Sequence, residues 1–371
     1  MKKVNGHEII QLFDQFAPKT YAMEGDKIGL QIGRLNKPVE NVMITLDVLE
    51  NVVDEAIKKN VQLIIAHHPP IFRPLEKLVT DTPQGRMLEK IIKHEIAVYA
   101  AHTNLDVAPG GVNDLLAEAL GLENIELLVP TYKTKLKKLV VFVPKTHEQQ
   151  VRSALGDAGA GAIGNYSHCS FAGDGTGYFL PGENANPYIG TRGEIEAVQE
   201  VRVETIFPAE IEKKVLAAML KAHPYEEVAY DIYPLDNKGS ELGLGRIGTI
   251  AEMTLKEFAA HVKKVFDVSG VRVVGDLDAK VKKVAVLGGD GNKYWNQAKF
   301  KGADVYVTGD VYYHVAHDAL VSGMNIVDPG HHVEMVMKQG VTNALKKMCA
   351  EKGYAVNIFP SELSTDPFRF L

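Results

Sequence analysis

Compact apolar runs alternate with helical periodicity through the first third of the chain. Residues 42–46, 61–66 and 96–101 are short aliphatic stretches bounded by polar positions, and each predicts a buried strand. Ahead of them, Ile9, Ile10, Leu12, Phe13 and Phe16 recur at helical spacing behind Asn5 and Glu8, a pairing that predicts a capping box. Residues 87–93 carry another helical pattern, and Asp47 with Glu50 is placed to cap the helix after the first run. Strands alternating with helices predict a largely parallel sheet covered on both faces, an α/β domain.

The pattern changes after Pro130. Residues 136–143 predict a strand, 146–158 a helix, 169–180 a glycine-rich strand, 196–206 a strand, 208–222 a helix and 228–233 a strand. This βαββαβ order is the split-βαβ, ferredoxin-like arrangement of an α+β domain. The earlier style resumes from Gly243, with strands expected near 246–250, 284–287, 305–308 and 324–327 and helices at 254–266, 311–321 and 331–350. The expected organisation is therefore an α/β domain split into residues 1–130 and 239–371 by an inserted domain at 131–238.

Composition narrows the function classes. With 371 residues, 46% hydrophobic and 24% charged, the chain has enough apolar material for sizeable cores without a covalent staple. A net charge of −6 argues against a surface that coats nucleic acid. Only Cys169 and Cys349 occur, far apart, which fits a reducing compartment and excludes a closed thiolate zinc site. No apolar leader follows the first residues, and no uncharged apolar run reaches about 18 residues, so a cytoplasmic protein without a membrane partner is expected.

Three ligand-bearing segments sit just after expected strands, where ligands of open α/β sheets collect. His67-His68-Pro69-Pro70 closes the second run. Adjacent side chains on an extended chain diverge, so the two imidazoles suit two neighbouring ions better than one. Asp106 ends His102-Thr103-Asn104-Leu105-Asp106, where a carboxylate can complete a coordination shell. Gly330-His331-His332-Val333-Glu334 opens the last helix, and His331 and Glu334 share a face at i and i+3. Taken singly, each residue has a plainer explanation: a hydrogen-bonded histidine, a turn aspartate, a first-turn glutamate. Together they predict a centre for two divalent ions with nitrogen and oxygen ligands, zinc leading and manganese, iron, cobalt or nickel compatible. Open coordination positions and residual positive charge would suit an anionic small molecule and hydrolytic chemistry.

These segments, with Asp26-Lys27-Ile28-Gly29-Leu30 and Thr308-Gly309-Asp310, resemble the Nif-three-like family, also called GTP cyclohydrolase I type 2 homologues. The resemblance spans nearly the whole chain. It implies a dinuclear site from His67, His68, Asp106, His331 and Glu334, and a ring-like homo-oligomer, typically a hexamer, with its metals facing inward. The insert resembles the PII-like or CutA-like modules of part of that family, on Gly164-Asn165-Tyr166-Ser167-His168-Cys169 and His223-Pro224-Tyr225-Glu226-Glu227. One departure is the spacing of the final glutamate, three residues after His331 rather than four. It leaves His331 or His332 as the ligand, with His331 favoured because it follows Gly330 directly.

Other positions carry less weight. His102 is a candidate for orienting a ligand or carrying a proton, and Asp310 with His314 forms a candidate proton-transfer pair. Gly243-Leu244-Gly245-Arg246-Ile247-Gly248 matches a dinucleotide pattern, but a strand follows it instead of a helix. Gly288-Gly289-Asp290-Gly291 is placed for either a tight turn or a phosphate-holding loop. The leading expectation is a metal-dependent hydrolase of a nucleotide-like or phosphorylated small molecule. The alternative is a non-enzymatic metal-binding regulator or metal carrier whose insert senses a ligand or docks a partner; a DNA-encircling ring is disfavoured by the acidic balance.

Overall fold

Alternation in the apolar runs sets the architecture of the larger of two compact units. The computed structural model describes residues 3–371, and the chain divides into one unit that ends at Tyr132 and resumes at Leu242, and a second spanning Lys133–Glu241. In the first unit, Val42 and Ile44 face one core while Met43 faces another, and Leu63 and Ile65 oppose Ile64 and Ala66 in the same way. A strand buried on both faces reads as a continuous apolar run, which is why these segments lack polar alternation.

The single parallel sheet expected from the sequence is two sheets. The first has the order Asn357–Pro360, Asn41–Thr45, Leu63–Ala66, Ala97–Ala100, Gly29–Ile32. Its first four strands are parallel and the last is antiparallel. The second runs Arg272–Val274, Asn325–Asp328, Val305–Gly309, Lys280–Asp290, Glu241–Thr254, Glu123–Lys133. Here only the three strands at 325–328, 305–309 and 280–290 are mutually parallel. Antiparallel neighbours flank this parallel centre on both sides, at 272–274 and 241–254.

One buried cluster joins the inward faces of both sheets to the helices Gly6–Phe16, Val112–Ala119, Leu255–Val265 and Val336–Glu351. Helices Glu50–Lys58 and Pro83–Lys93 cover the outer face of the first sheet, and Trp295–Phe300 with Tyr313–Val321 covers that of the second. The capping box at Asn5 and Glu8 is present. Such a cap is worth about 1 kcal/mol. The expected cap at Asp47 is not: Leu49 occupies that position without a side-chain bond, because Asp47 is engaged elsewhere. The last long helix also starts late, after a 3₁₀ turn at His331–Met335.

The second unit is a four-stranded antiparallel sheet in the order Tyr230–Leu235, Leu136–Pro144, Glu196–Pro208, Phe171–Phe179. Helices Glu148–Asp157 and Glu212–Ala222 bury Val151, Leu155, Val215 and Met219 against Leu139, Val141, Val201 and Val203. The chain order is the split βαβ. Among the described residues no helix is long and apolar enough to cross a membrane.

Candidate metal centre

Parallel strands in the first unit end together, and their exits carry the chemistry. His67 and His68 follow Leu63–Ala66, Asp106 lies in the short helix after Ala97–Ala100, and His331 and Glu334 follow Asn325–Asp328. A 3₁₀ turn eclipses residues i and i+3, so the late start of the last helix places His331 directly over Glu334.

Glu334 is buried at the middle of the group. Its Oε2 lies 3.1 Å from His68 Nε2, 3.2 Å from His331 Nε2 and 3.6 Å from His67 Nε2. Two triplets with ligand spacing share it: His67 with Asp106 and Glu334, and His68 with His331 and Glu334. Within these two triplets the adjacent histidines fall on different sides, and both reach the shared carboxylate. A third triplet, His67, His68 and His102, takes one histidine from each of the first two.

Each ring is held by its other nitrogen. His67 Nδ1 meets the Ala101 carbonyl at 2.9 Å, His68 Nδ1 meets Asp47 at 2.6 Å, and His331 Nδ1 meets Asp310 at 2.6 Å. His102 Nδ1 meets Asp26 at 2.8 Å. An oxygen acceptor at Nδ1 fixes the proton there and leaves the Nε2 lone pair facing inward, the usual support for an imidazole ligand.

The group fits cations better than it fits itself. His67 Nε2 and Asp106 Oδ1 are buried 3.7 Å apart, and neither has a hydrogen-bond partner. Burial pushes the Asp106 carboxyl up to about 6, against the pull of His67. Burial likewise opposes charge on Glu334, but His67, His331 and His68 outweigh it and hold this carboxyl well below its usual range. For His68, burial is outweighed by the hydrogen bonds to Asp47 and Glu334, which push its pKa up to about 10. Protons therefore balance the buried carboxylates when no ion does so. A nitrogen- and oxygen-only donor set of this kind suits first-row divalent metals.

His331, not His332, enters the group: the His332 Nε2 instead accepts the Thr365 N–H at 3.3 Å. Asp310 meets the His331 ring and not His314, whose side chain is exposed beside Tyr313 on the helix Tyr313–Val321. The 243–248 glycine pattern lies inside the strand Glu241–Thr254. Residues 288–290, expected in a turn or phosphate loop, are the irregular end of the strand Lys280–Asp290, and the Gly288 and Gly291 amides donate to Asn113 and Thr308, so they are not presented to a phosphate. A Cβ at Gly288 or Gly289 would stand 2.9 or 2.8 Å from Glu334 Oε1. These glycines make room for the central carboxylate.

Several supporting residues take roles that the sequence did not indicate, and Asp328 was not singled out at all. Asp47 and Asp310 orient imidazoles, and Asp26 holds both the His102 ring and the Thr103 hydroxyl. Buried Asp328 accepts from the Val311 and Gly330 amides and pairs with Arg272, fixing the turn that aims His331. The available signal was position: Asp47, Asp310 and Asp328 all stand at the carboxyl ends of strands.

Comparison with known proteins identifies the family. The family described as Duf34/NIF3 (NGG1p interacting factor 3) matches residues 4–367. A Bacillus subtilis protein named GTP cyclohydrolase 1 type 2 homolog is 66% identical over 371 residues, covering 100% of both chains. A Listeria monocytogenes protein of the same name is 47% identical, again over 100% of each. The solved structure of a Bacillus cereus protein related to NIF3 superposes with a TM-score of 0.96 at 64% identity over 100% of both chains. A Staphylococcus aureus protein gives 0.79 at 32% identity with the same coverage. The chain belongs to the Duf34/NIF3 family.

Proposed function

We propose that this protein is a dinuclear-metal hydrolase acting on a nucleotide-like or phosphorylated small molecule. The observation that carries the reading is the pair of ligand triplets sharing buried Glu334, with each histidine anchored through Nδ1. His67, Asp106 and Glu334 would hold one ion, and His68, His331 and Glu334 the other, with zinc as the leading candidate. When bound, the two ions supply Lewis-acid activation of water and neutralise charge on an anionic substrate.

The chain's own residues do the rest. Asp47 and Asp310 keep His68 and His331 oriented, and the Ala101 carbonyl does so for His67. His102 lies beside the His67–His68 pair and is anchored to Asp26, which supports a role for it in carrying a proton. His314, exposed on its helix, has no such placement. A homo-oligomer, hexameric by resemblance, would enclose such centres.

The test is turnover by zinc- or manganese-loaded protein across nucleoside triphosphates, GTP included, and small phosphoesters. Asp106→Ala serves as the blank. Hydrolysis that disappears in the variant supports the reading and names the substrate class. Fully loaded protein with no turnover above the blank moves the weight to a metal-binding regulator or carrier.

A further inference from the structure

Strand Phe171–Phe179 of the second unit reads Phe-Ala-Gly-Asp-Gly-Thr-Gly-Tyr-Phe, with Gly173, Gly175 and Gly177 at alternate positions. Residues two apart on a strand share a face, so three missing side chains in a row open a trough, with Phe171 and Phe179 at its ends. Register places Gly175 opposite Glu200 and Gly173 opposite Arg202 on the neighbouring strand. This is the sheet face turned away from the two helices, since Val201 and Val203 between them enter the core. A cavity of about 790 Å³ lies over the trough, with Tyr188 and Tyr225 among its walls. That volume is in the range of small-molecule sites.

The trough alone would be only a gap in the sheet. Its floor holds a second feature: Glu200 is 8% exposed and lines the cavity. A Cβ at Gly177 would land 2.1 Å from Glu200 Oε2, so the glycine is what lets this carboxylate lie there. Of the other acidic groups lining the cavity, Glu227 is exposed to solvent and the rest are engaged. Glu204 pairs with Lys138 at 2.8 Å and Arg202 at 3.0 Å, Asp174 with Lys145 at 3.1 Å, and Glu226 accepts the Asn186 amide at 2.7 Å. Among the described residues no cation pairs with Glu200. The Tyr225 hydroxyl lies buried beside it, and burial together with Glu200 pushes its pKa up.

A buried carboxylate without a cation is costly to keep unless something supplies the charge. Aromatic walls reinforce the same preference. Tyr225 lies 5.9 Å from Phe179 and 6.4 Å from Tyr188, ring to ring, and faces of such rings attract cations. Among the described residues the only basic side chain lining the cavity, Arg202, is already paired, so a phosphate or carboxylate ligand would meet repulsion.

We propose that the inserted unit is a binding site for a small organic cation, an amine, amidine or guanidine with a flat or apolar body, whose charge pairs with Glu200. No residue of the metal centre lies in this unit, so the two assignments stand or fall separately.

The test uses the full-length protein with tyramine and benzamidine as probes and benzoate as the anionic control, measured by calorimetric titration and ligand-observed NMR. Both cations should bind saturably and benzoate should not. Glu200→Gln, which keeps the shape, should weaken cation binding by roughly tenfold or more, the worth of a buried charge-assisted contact. Gly175→Val should abolish it. A Cβ there meets nothing within 4 Å and a β-branched residue suits a strand, so this variant fills the trough without disturbing the fold. Absence of saturable binding by both cations up to about 5 mM, equal binding of benzoate, or binding undiminished in both variants would overturn the proposal.

Discussion

Replacing Asp310 with asparagine should weaken one of the two metal sites and leave the other intact. The carboxylate lies 2.6 Å from His331 Nδ1, and its loss removes the negative end of that bond while keeping an oxygen acceptor. Backbone strain does not confuse the result. Asp310 sits at φ 55°, in the left-handed region that asparagine tolerates as readily as aspartate. A hydrogen bond to a charged group contributes about 1.5–3 kcal/mol and a neutral one about 0.5–1.5, so the difference is about 1–1.5 kcal/mol. Asp310 and His331 are 39% and 37% exposed, and water screens the pair, which favours the lower end of that difference. The expected effect is therefore roughly a five- to tenfold loss of zinc affinity at the His68–His331–Glu334 site, at or just below the lower end of what orienting partners usually contribute. Competition against a chromophoric chelator resolves the two binding steps. Two unchanged steps in a folded variant would refute the claim that Asp310 presents His331 to a metal.

Other substitutions separate ligands from bystanders. His331→Ala should lower bound metal, whereas His332→Ala should retain it, because the His332 ring faces Thr365; elemental analysis decides between them. Gly288→Ala should reduce metal content in a chain that still folds, since the new Cβ would stand 2.9 Å from Glu334 Oε1. Full metal content in that variant would show that the central carboxylate does not need this space. Glu55 accepts bonds from Ser361 Oγ, the Glu362 amide and Lys59 Nζ, tying down the C-terminal segment. Burial opposes its ionisation, but those bonds outweigh burial and lower its pKa, so its stabilisation is present above the unfolded carboxyl value and lost as pH falls through the folded one. Glu55→Gln should cost about 1–3 kcal/mol in urea unfolding near neutral pH, with the gap from wild type closing in acid; an equal midpoint at neutral pH would contradict this.

Local pattern carried much of the secondary structure. Runs 42–46, 61–66 and 96–101 are strands within a residue or two of their expected limits, and the capping box at Asn5 forms as its spacing implies. Sheet membership was not legible in the same way. The apolar runs 284–287 and 42–46 both announce a buried strand, and which sheet each joins depends on the partners it finds, which is a tertiary fact. Short edge strands such as Arg272–Val274 and Asn357–Pro360 are too brief to show a period. At the site, histidines announce themselves by chemistry, while Asp47 looked like a helix cap and Asp310 like a partner for His314. A carboxylate that orients a ring more than 20 residues away leaves no local pattern. The glycines at 288 and 289 suggested a turn or a phosphate loop, whereas they end a strand beside Glu334, which lies over 40 residues on.

Metal content measured per chain, after zinc loading and removal of excess, tests the central claim most directly. The account predicts about two zinc ions per chain in the native protein, the stoichiometry of a two-metal centre, falling in Glu334→Gln, where the carboxylate common to both triplets is lost. One ion or none in the native protein, or an unchanged count in the variant, would contradict it.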